Sequence, residues 1–208
     1  MAQPITSRKI VRNQVLNYNA QEQFDQALYD TAHYPAAGTG SLSFFSNPVG
    51  TTVTLIRAGA AGSFAKTKRD TNLTTNGMVS GQLYFVDGLS FALRHEDEGE
   101  ALNASDRDKI RMGSWLEFKI GSKLIFEMPS YMIPELNPIS AAATSVTATS
   151  ILASVGGGGH SSRFKFANAI PIPPNQSFTL TMNFDGTVTT TKAVDVAVIL
   201  HAQQRRPS

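Results

Sequence analysis

Four histidines, at positions 33, 95, 160 and 201, are the natural starting point for chemistry, because imidazole is the side chain most used to ligate metals and move protons near neutral pH. No two of them are spaced H-x-H, the pattern that a cupin-type metal centre requires. His95 precedes Glu96, Asp97 and Glu98, a run that offers carboxylate oxygens to a hard cation such as calcium. A solvated acidic loop between strands accounts for the same run. His160 follows Gly159 in a glycine run, where a surface position is a simpler reading than a mobile proton carrier.

Other reactive groups are missing. The chain has no cysteine, which removes disulfides, thiolate metal sites and a cysteine nucleophile. There is no G-x-S-x-G elbow, no P-loop and no carboxylate pair at a meaningful spacing. The expectation is a protein that is not an enzyme, uses no cofactor and takes no small-molecule substrate. Asn72, Asn103 and Asn175 fit the N-x-[ST] sequon, but a chain rich in these residues produces it by chance.

Binding chemistry is also sparse. Arg8, Lys9 and Arg12 cluster near one end and Arg205 with Arg206 at the other, which makes them candidates for weak, salt-sensitive contacts with nucleic acid or anionic lipid, although ordinary solvated termini account for them more simply. The net charge is only +2, too little for a strong attractive field. Charged residues make up 16% of the chain, against roughly 25% in an average soluble domain. A polar but scarcely ionic surface suits large packed interfaces. No signal-like apolar run opens the chain, and no stretch is long and apolar enough to cross a membrane as a helix. The expected product is soluble and lacks a recognisable export signal.

The elements that would position these residues are mostly strands. In IPIPPNQSFTLTMNFDG, Phe178, Leu180, Met182 and Phe184 alternate with Thr179, Thr181 and Asn183. Period two predicts a half-buried strand, and the prolines before it predict a stiff approach. Short strands are expected in SLSFFS and TTVTLIRAGA, and a polar surface loop bearing Lys66, Lys68 and Arg69 from residue 60 to 77. GQLYFVDGLSFALR reads better as one strand with a bulge at Gly88 than as a hairpin at Asp87-Gly88, with Leu83, Phe85, Leu89, Phe91 and Leu93 on one face. In SWLEFKIGSKLIFEMP, a three-residue loop from Gly121 to Lys123 predicts a hairpin pairing Ile120 with Leu124, Phe118 with Phe126 and Leu116 with Met128. RFKFANAIPI and AVDVAVILHA supply two further strands.

Two helices are expected. Leu16, Ala20, Phe24, Ala27 and Leu28 recur at spacings of four and three, with Asn19 as a cap, so an amphipathic helix should end near Pro35. Ser105 and Asp108 form a capping box for a short helix closed by Gly113. Residues 129–162, with three prolines and four consecutive glycines, predict a flexible excursion. The domain organisation expected is an arm at 1–40 carrying the amphipathic helix, then one domain at 41–208.

About eight strands, little helix and no βαβ alternation point to an all-β antiparallel sandwich of jelly-roll type. By count, the tight hairpin supplies the fifth and sixth strands, the pair expected to lie side by side in one sheet of such a roll. The order and texture of DTNLTTNGMVSGQLYFVDGLSFAL, KIRMGSWLEFKIGSKLIFEMP, NAIPIPPNQSFTLTMNF and VDVAVILHAQQRRPS, spanning residues 71–208, resemble the single jelly-roll capsid proteins of small tailless icosahedral bacterial viruses. The resemblance lies in pattern more than in a diagnostic motif. Double-jelly-roll capsid proteins are much longer, so it implies a single roll.

That resemblance implies an icosahedral capsid subunit, located in the virion and assembled in the host cytoplasm. Its partners would be copies of itself and other virion proteins, with Leu16, Phe24, Leu28, Tyr131 and Ile133 as candidate subunit contacts. Arg8, Lys9, Arg12, Arg205 and Arg206 would then face the packaged genome or an internal membrane. The alternative is a jelly-roll binding module for carbohydrate recognition or virion attachment; a single tryptophan, Trp115, gives it little support.

Overall fold

The computed structural model describes residues 6–11, 14–19, 23–75, 82–94, 104–136 and 163–205, with side chains described from residue 25 onward. The strands, in chain order, are β1 (Thr6–Val11), β2 (Gln14–Asn19), β3 (Gln23–Asp25), β4 (Leu28–Tyr34), β5 (Ser41–Phe44), β6 (Thr52–Arg57), β7 (Ala60–Ala65) and β8 (Leu83–Arg94). Helix α1 (Ala104–Met112) follows, and then β9 (Ser114–Ile120), β10 (Lys123–Pro129), β11 (Phe164–Ile172), β12 (Phe178–Phe184) and β13 (Val194–Arg205).

These strands build an antiparallel sandwich. One sheet has the order β10-β9-β12-β5. The other runs β11-β8-β13, and β13 then pairs along its far edge with β4 through Val194–Leu200 and with β3 through Gln203–Arg205. Along the chain β4, β5, β8, β9, β10, β11, β12 and β13 switch sheet at every step except one, β9 to β10. The pair expected as fifth and sixth is therefore the fourth and fifth of this series. Two further hairpins, β1–β2 and β6–β7, each pair internally.

The alternation of β12 is present as read: Phe178, Leu180, Met182 and Phe184 are buried, while Thr179 lies on the outer face. They meet Leu42 and Phe44 of β5 and Leu116 and Phe118 of β9, and across the sandwich Tyr34, Val86, Leu89, Phe91, Val194, Val196, Val198 and Leu200. Burying that much apolar side chain is the main force available to a chain without disulfides. Of the prolines, Pro171 lies within β11, an edge strand, whereas Pro173 opens the turn to β12 and its carbonyl accepts from Gln176.

Several expectations are corrected. The amphipathic helix expected before Pro35 is replaced by strands β2, β3 and β4, because Leu28, Asp30, Ala32 and Tyr34 also carry period two and seven residues of β13 offer a ladder to them. Strand β4, which falls within the segment expected as an arm, is thus paired into the sandwich. The loop expected at 60–77 begins with β7, and Lys66 is buried at 3% exposure. The β8 bulge is present: Gly88 opposes His201 and Val86 opposes Ala202, leaving Asp87 unpaired in the ladder. It reverses the phase, however, so Tyr84 and Val86 join Leu89, Phe91 and Leu93 in the core, while Leu83 and Phe85 are buried outside that cluster. Gly88 is needed there, since a Cβ would stand 2.9 Å from the Phe164 carbonyl.

The β9–β10 hairpin turns in two residues, not three. Lys123 opposes Ile120, and a register shift between Leu124 and Phe126 then restores Phe118 opposite Phe126 and Leu116 opposite Met128. Gly121 takes φ 59°, which L-residues rarely adopt. Helix α1 starts at Ala104, one residue before the expected cap, and Gly113 closes it by donating to the Lys109 carbonyl. The acidic run at 95–98, Asn103, His160 and most of the 129–162 excursion lie outside the described residues; the described part, 129–136, contains a turn of 3-10 helix at Ser130–Met132.

Candidate functional site

Three aspartates gather the polar chemistry. Asp30 on β4 alternates with Leu28 and Tyr34 and therefore points inward near the sheet edge, where its carboxylate meets the Lys66 ammonium at 2.5 Å and accepts from the Phe45 N–H at 2.6 Å. Both side chains are almost wholly buried. Burial pushes the Asp30 carboxyl up, against the opposing pull of Lys66.

Asp70 lies on the turn after β7. It accepts from the Thr67 N–H at 2.9 Å and from the Arg57 guanidinium at 2.6 Å, with Arg94 of β8 at 3.9 Å. Burial alone would raise its carboxyl, but these donors outweigh it and hold the group below the usual range. Asp195 of β13 joins His33 Nδ1 at 3.0 Å and accepts from the Ile56 N–H at 2.9 Å.

The three share one geometry. Each joins the β6–β7 hairpin, or the turn that follows it, to the sandwich or to itself, and each carboxylate has a polar partner at both oxygens. Asn72 completes the attachment by accepting from the Tyr29 N–H and donating to the Ala27 carbonyl, so the amide of this sequon is spent on the β4 edge. Asn175 is exposed, with φ 58°. The network offers a scaffold for a projecting hairpin more than a reactive centre. Its signal in the sequence is an acid inside an apolar strand, as in AVDVAVILH, where Asp195 could only be buried with a partner.

A second constellation lies on the outer face of β8 and β13. Ser90 Oγ is 2.8 Å from His201 Nε2, a nucleophile-to-base distance. Burial, and after it the Arg163 charge, keeps the imidazole below its usual range, with Asp87 opposing. Asp87 is itself held by Arg163 at 3.1 Å. Ser90 is 0% exposed, so the hydroxyl is not presented to a substrate. Among the described residues, no three His, Asp or Glu side chains converge as a metal site.

The residues singled out for contacts are dispersed. Leu28 and Ile133 are core residues, at 2% and 0% exposure, and are removed from the subunit-contact set because their surfaces are spent within the chain. Tyr131 is half exposed, beside Met132, and the Arg111 guanidinium at the end of α1 donates to the Tyr131 carbonyl. Leu16 lies on β2 opposite Lys9, and Phe24 on β3 opposite Gln204. Arg8 and Lys9 lie on β1; Arg12 and Arg206 are outside the described residues. Arg205 is no part of a free tail: it ends β13, is 8% exposed and stacks its guanidinium 4.7 Å from the Phe85 ring centre.

Among the described residues no helix is long and apolar enough to cross a membrane. No family model, no curated protein and no solved structure matches the chain.

Proposed function

We propose that this chain is a structural virion protein, a single jelly-roll subunit that self-assembles into the icosahedral shell of a tailless bacterial virus. The observation that carries the reading is the strand order: β4-β13-β8-β11 packed on β5-β12-β9-β10, with the chain crossing between sheets at every step but β9 to β10. This order supports reading the sandwich as a jelly roll, an architecture used for shells and also for lectins and cupins. Fold alone does not assign function; the surface favours assembly. Its low charge, and the exposed Met112, Leu124, Tyr131 and Met132, provide contact area without ionic repulsion.

Virion partners, a capsid location and assembly in the host cytoplasm follow from the same reading. Size-exclusion chromatography of the purified chain, followed by electron microscopy, tests it. Capsomers or closed shells are the expected outcome. A stable monomer that retains a glycan would overturn it in favour of a jelly-roll binding module.

A further inference from the structure

We infer that β7 is the strand through which two copies of this chain join, pairing antiparallel about a two-fold axis at Ser63. The inference rests on the reading of the chain as a self-assembling subunit and names one of its interfaces.

The ladder parity of the β6–β7 hairpin fixes which groups are free. The Lys66 N–H donates to the Thr51 carbonyl at 2.9 Å, so that pair is hydrogen-bonded. In an antiparallel ladder bonded and non-bonded pairs alternate, which makes Val53–Phe64, Leu55–Gly62 and Arg57–Ala60 the bonded pairs in the observed register. Ala61, Ser63 and Ala65 therefore direct their N–H and C=O groups away from β6. The opposite edge verifies the parity: Ile56, across from Ala61, sends its N–H outward to Asp195 at 2.9 Å.

The other sheet edges among the described residues from 25 to 205 are blunted, as natural sheets require. The β4 edge is occupied by the Asn72 amide, and the β6 edge by Asp195. Strand β10 carries Lys123, Glu127 and a register shift. Strand β11 carries Lys165, Pro171 and a longer shift. Strand β5 has only four residues. Strand β7, Ala-Ala-Gly-Ser-Phe-Ala, has no charge, no proline and an unbroken register over six pairs, and Ala61, Ser63 and Ala65 are exposed. It is also the outer strand of its hairpin, since among the described residues it is β6 that lies against β4 and β13.

The edge suits a second copy of itself. With Ser63 on the axis, Ala61 faces Ala65 of the second copy and Gly62 faces its Phe64, so small meets small, ring meets glycine, and no like charges are brought together. The Phe64 ring already lies over Gly62, with Cε2 3.0 Å from where a Cβ would stand. A peptide of another sequence would find no charged or large side chain at Ala61, Ser63 or Ala65 by which to be selected.

The absence of cysteine makes a direct test available in the full chain. Across a hydrogen-bonded pair the Cα atoms of Ser63→Cys would be about 5.5 Å apart, within disulfide reach. Mild oxidation should give covalent dimers of Ser63→Cys. It should give none of Thr54→Cys, whose two copies would be separated by three strand spacings, about 14 Å. Ser63→Pro removes an outward N–H that β6 does not use, and sedimentation should show self-association weakened at least tenfold with the circular dichroism unchanged. Equal crosslinking of the two cysteine variants, or unchanged association of Ser63→Pro, overturns the inference. Shells of the Ser63→Cys variant that form without a crosslink reject this interface while leaving the capsid reading intact; crosslinked dimers of that variant that never form shells do the reverse.

Discussion

The two hairpins β9–β10 and β6–β7 have nearly the same length and opposite means of support. The first is held by hydrocarbon: Leu116 and Phe118 enter the core, and Phe118 lies 5.3 Å from the Phe126 ring and 6.2 Å from Phe178. The second buries Leu55 and Ile56, but its attachment runs through Asp30–Lys66 and the Asp195 bond to Ile56, with Asp70–Arg57 bracing the hairpin against its own turn. Apolar burial is non-directional and accepts any well-shaped neighbour, whereas a carboxylate and its donors hold one geometry. The difference suits a strand that builds the body in one case and a strand that must present its edge in the other.

Breaking the first support should cost the most. Phe118→Ala removes a fully buried ring between two others and should lower the unfolding free energy by about 4 kcal/mol, within the range for large-to-small core changes. The whole urea transition should move. Lys66→Met should cost less, about 3 kcal/mol, because the abandoned Asp30 is already pushed towards protonation and can neutralise itself. Combining Lys66→Met with Asp30→Asn, which retains an acceptor for the Phe45 N–H, should recover most of that loss. A double-mutant cycle that is additive instead would mean the pair is not coupled.

This contrast also explains what is legible in the sequence. The β9–β10 hairpin, β12 and the continuous β8 announce themselves by period-two alternation, and alternation is a local signal. Even so, the shift at Leu124/Phe126 is hidden, because a two-residue turn with a bulge and a three-residue turn give the same pairing for Phe118 and Phe126. The β6–β7 hairpin is only half visible: β7 is Ala- and Gly-rich, and what makes it a strand lies far away in sequence, at Asp30 and Asp195. Strand β4 reads as helix because Leu28 fits both periods and the deciding partner, β13, comes over 150 residues later. Two of the candidate contacts, Leu28 and Ile133, turn out to be core residues for a related reason. Nothing local distinguishes Ile133, fully buried, from Tyr131, half exposed, two residues away.

The smallest effect separates the two supports by pH. His201 is kept below its usual range in the folded chain, chiefly by burial, so when pH falls below about 6.5, the unperturbed value, the unfolded chain takes up a proton that the folded chain refuses, and stability declines. Asp70 is held below its usual range as well, so its contribution is complete above about 3.9 and is lost as pH falls through the lower folded value. Asp30 runs the other way, because its raised carboxyl keeps a proton to higher pH when folded and so favours the fold on the acid side. The Phe118 contacts exchange no proton. Urea midpoints measured from pH 7 down to pH 4 should therefore decline in wild type and flatten near pH 6 in His201→Gln. Below pH 4 the amides of β6 and β7 should lose hydrogen-exchange protection before those of β9. Equal loss in both hairpins would show that the ion-pair clamp is not what distinguishes them.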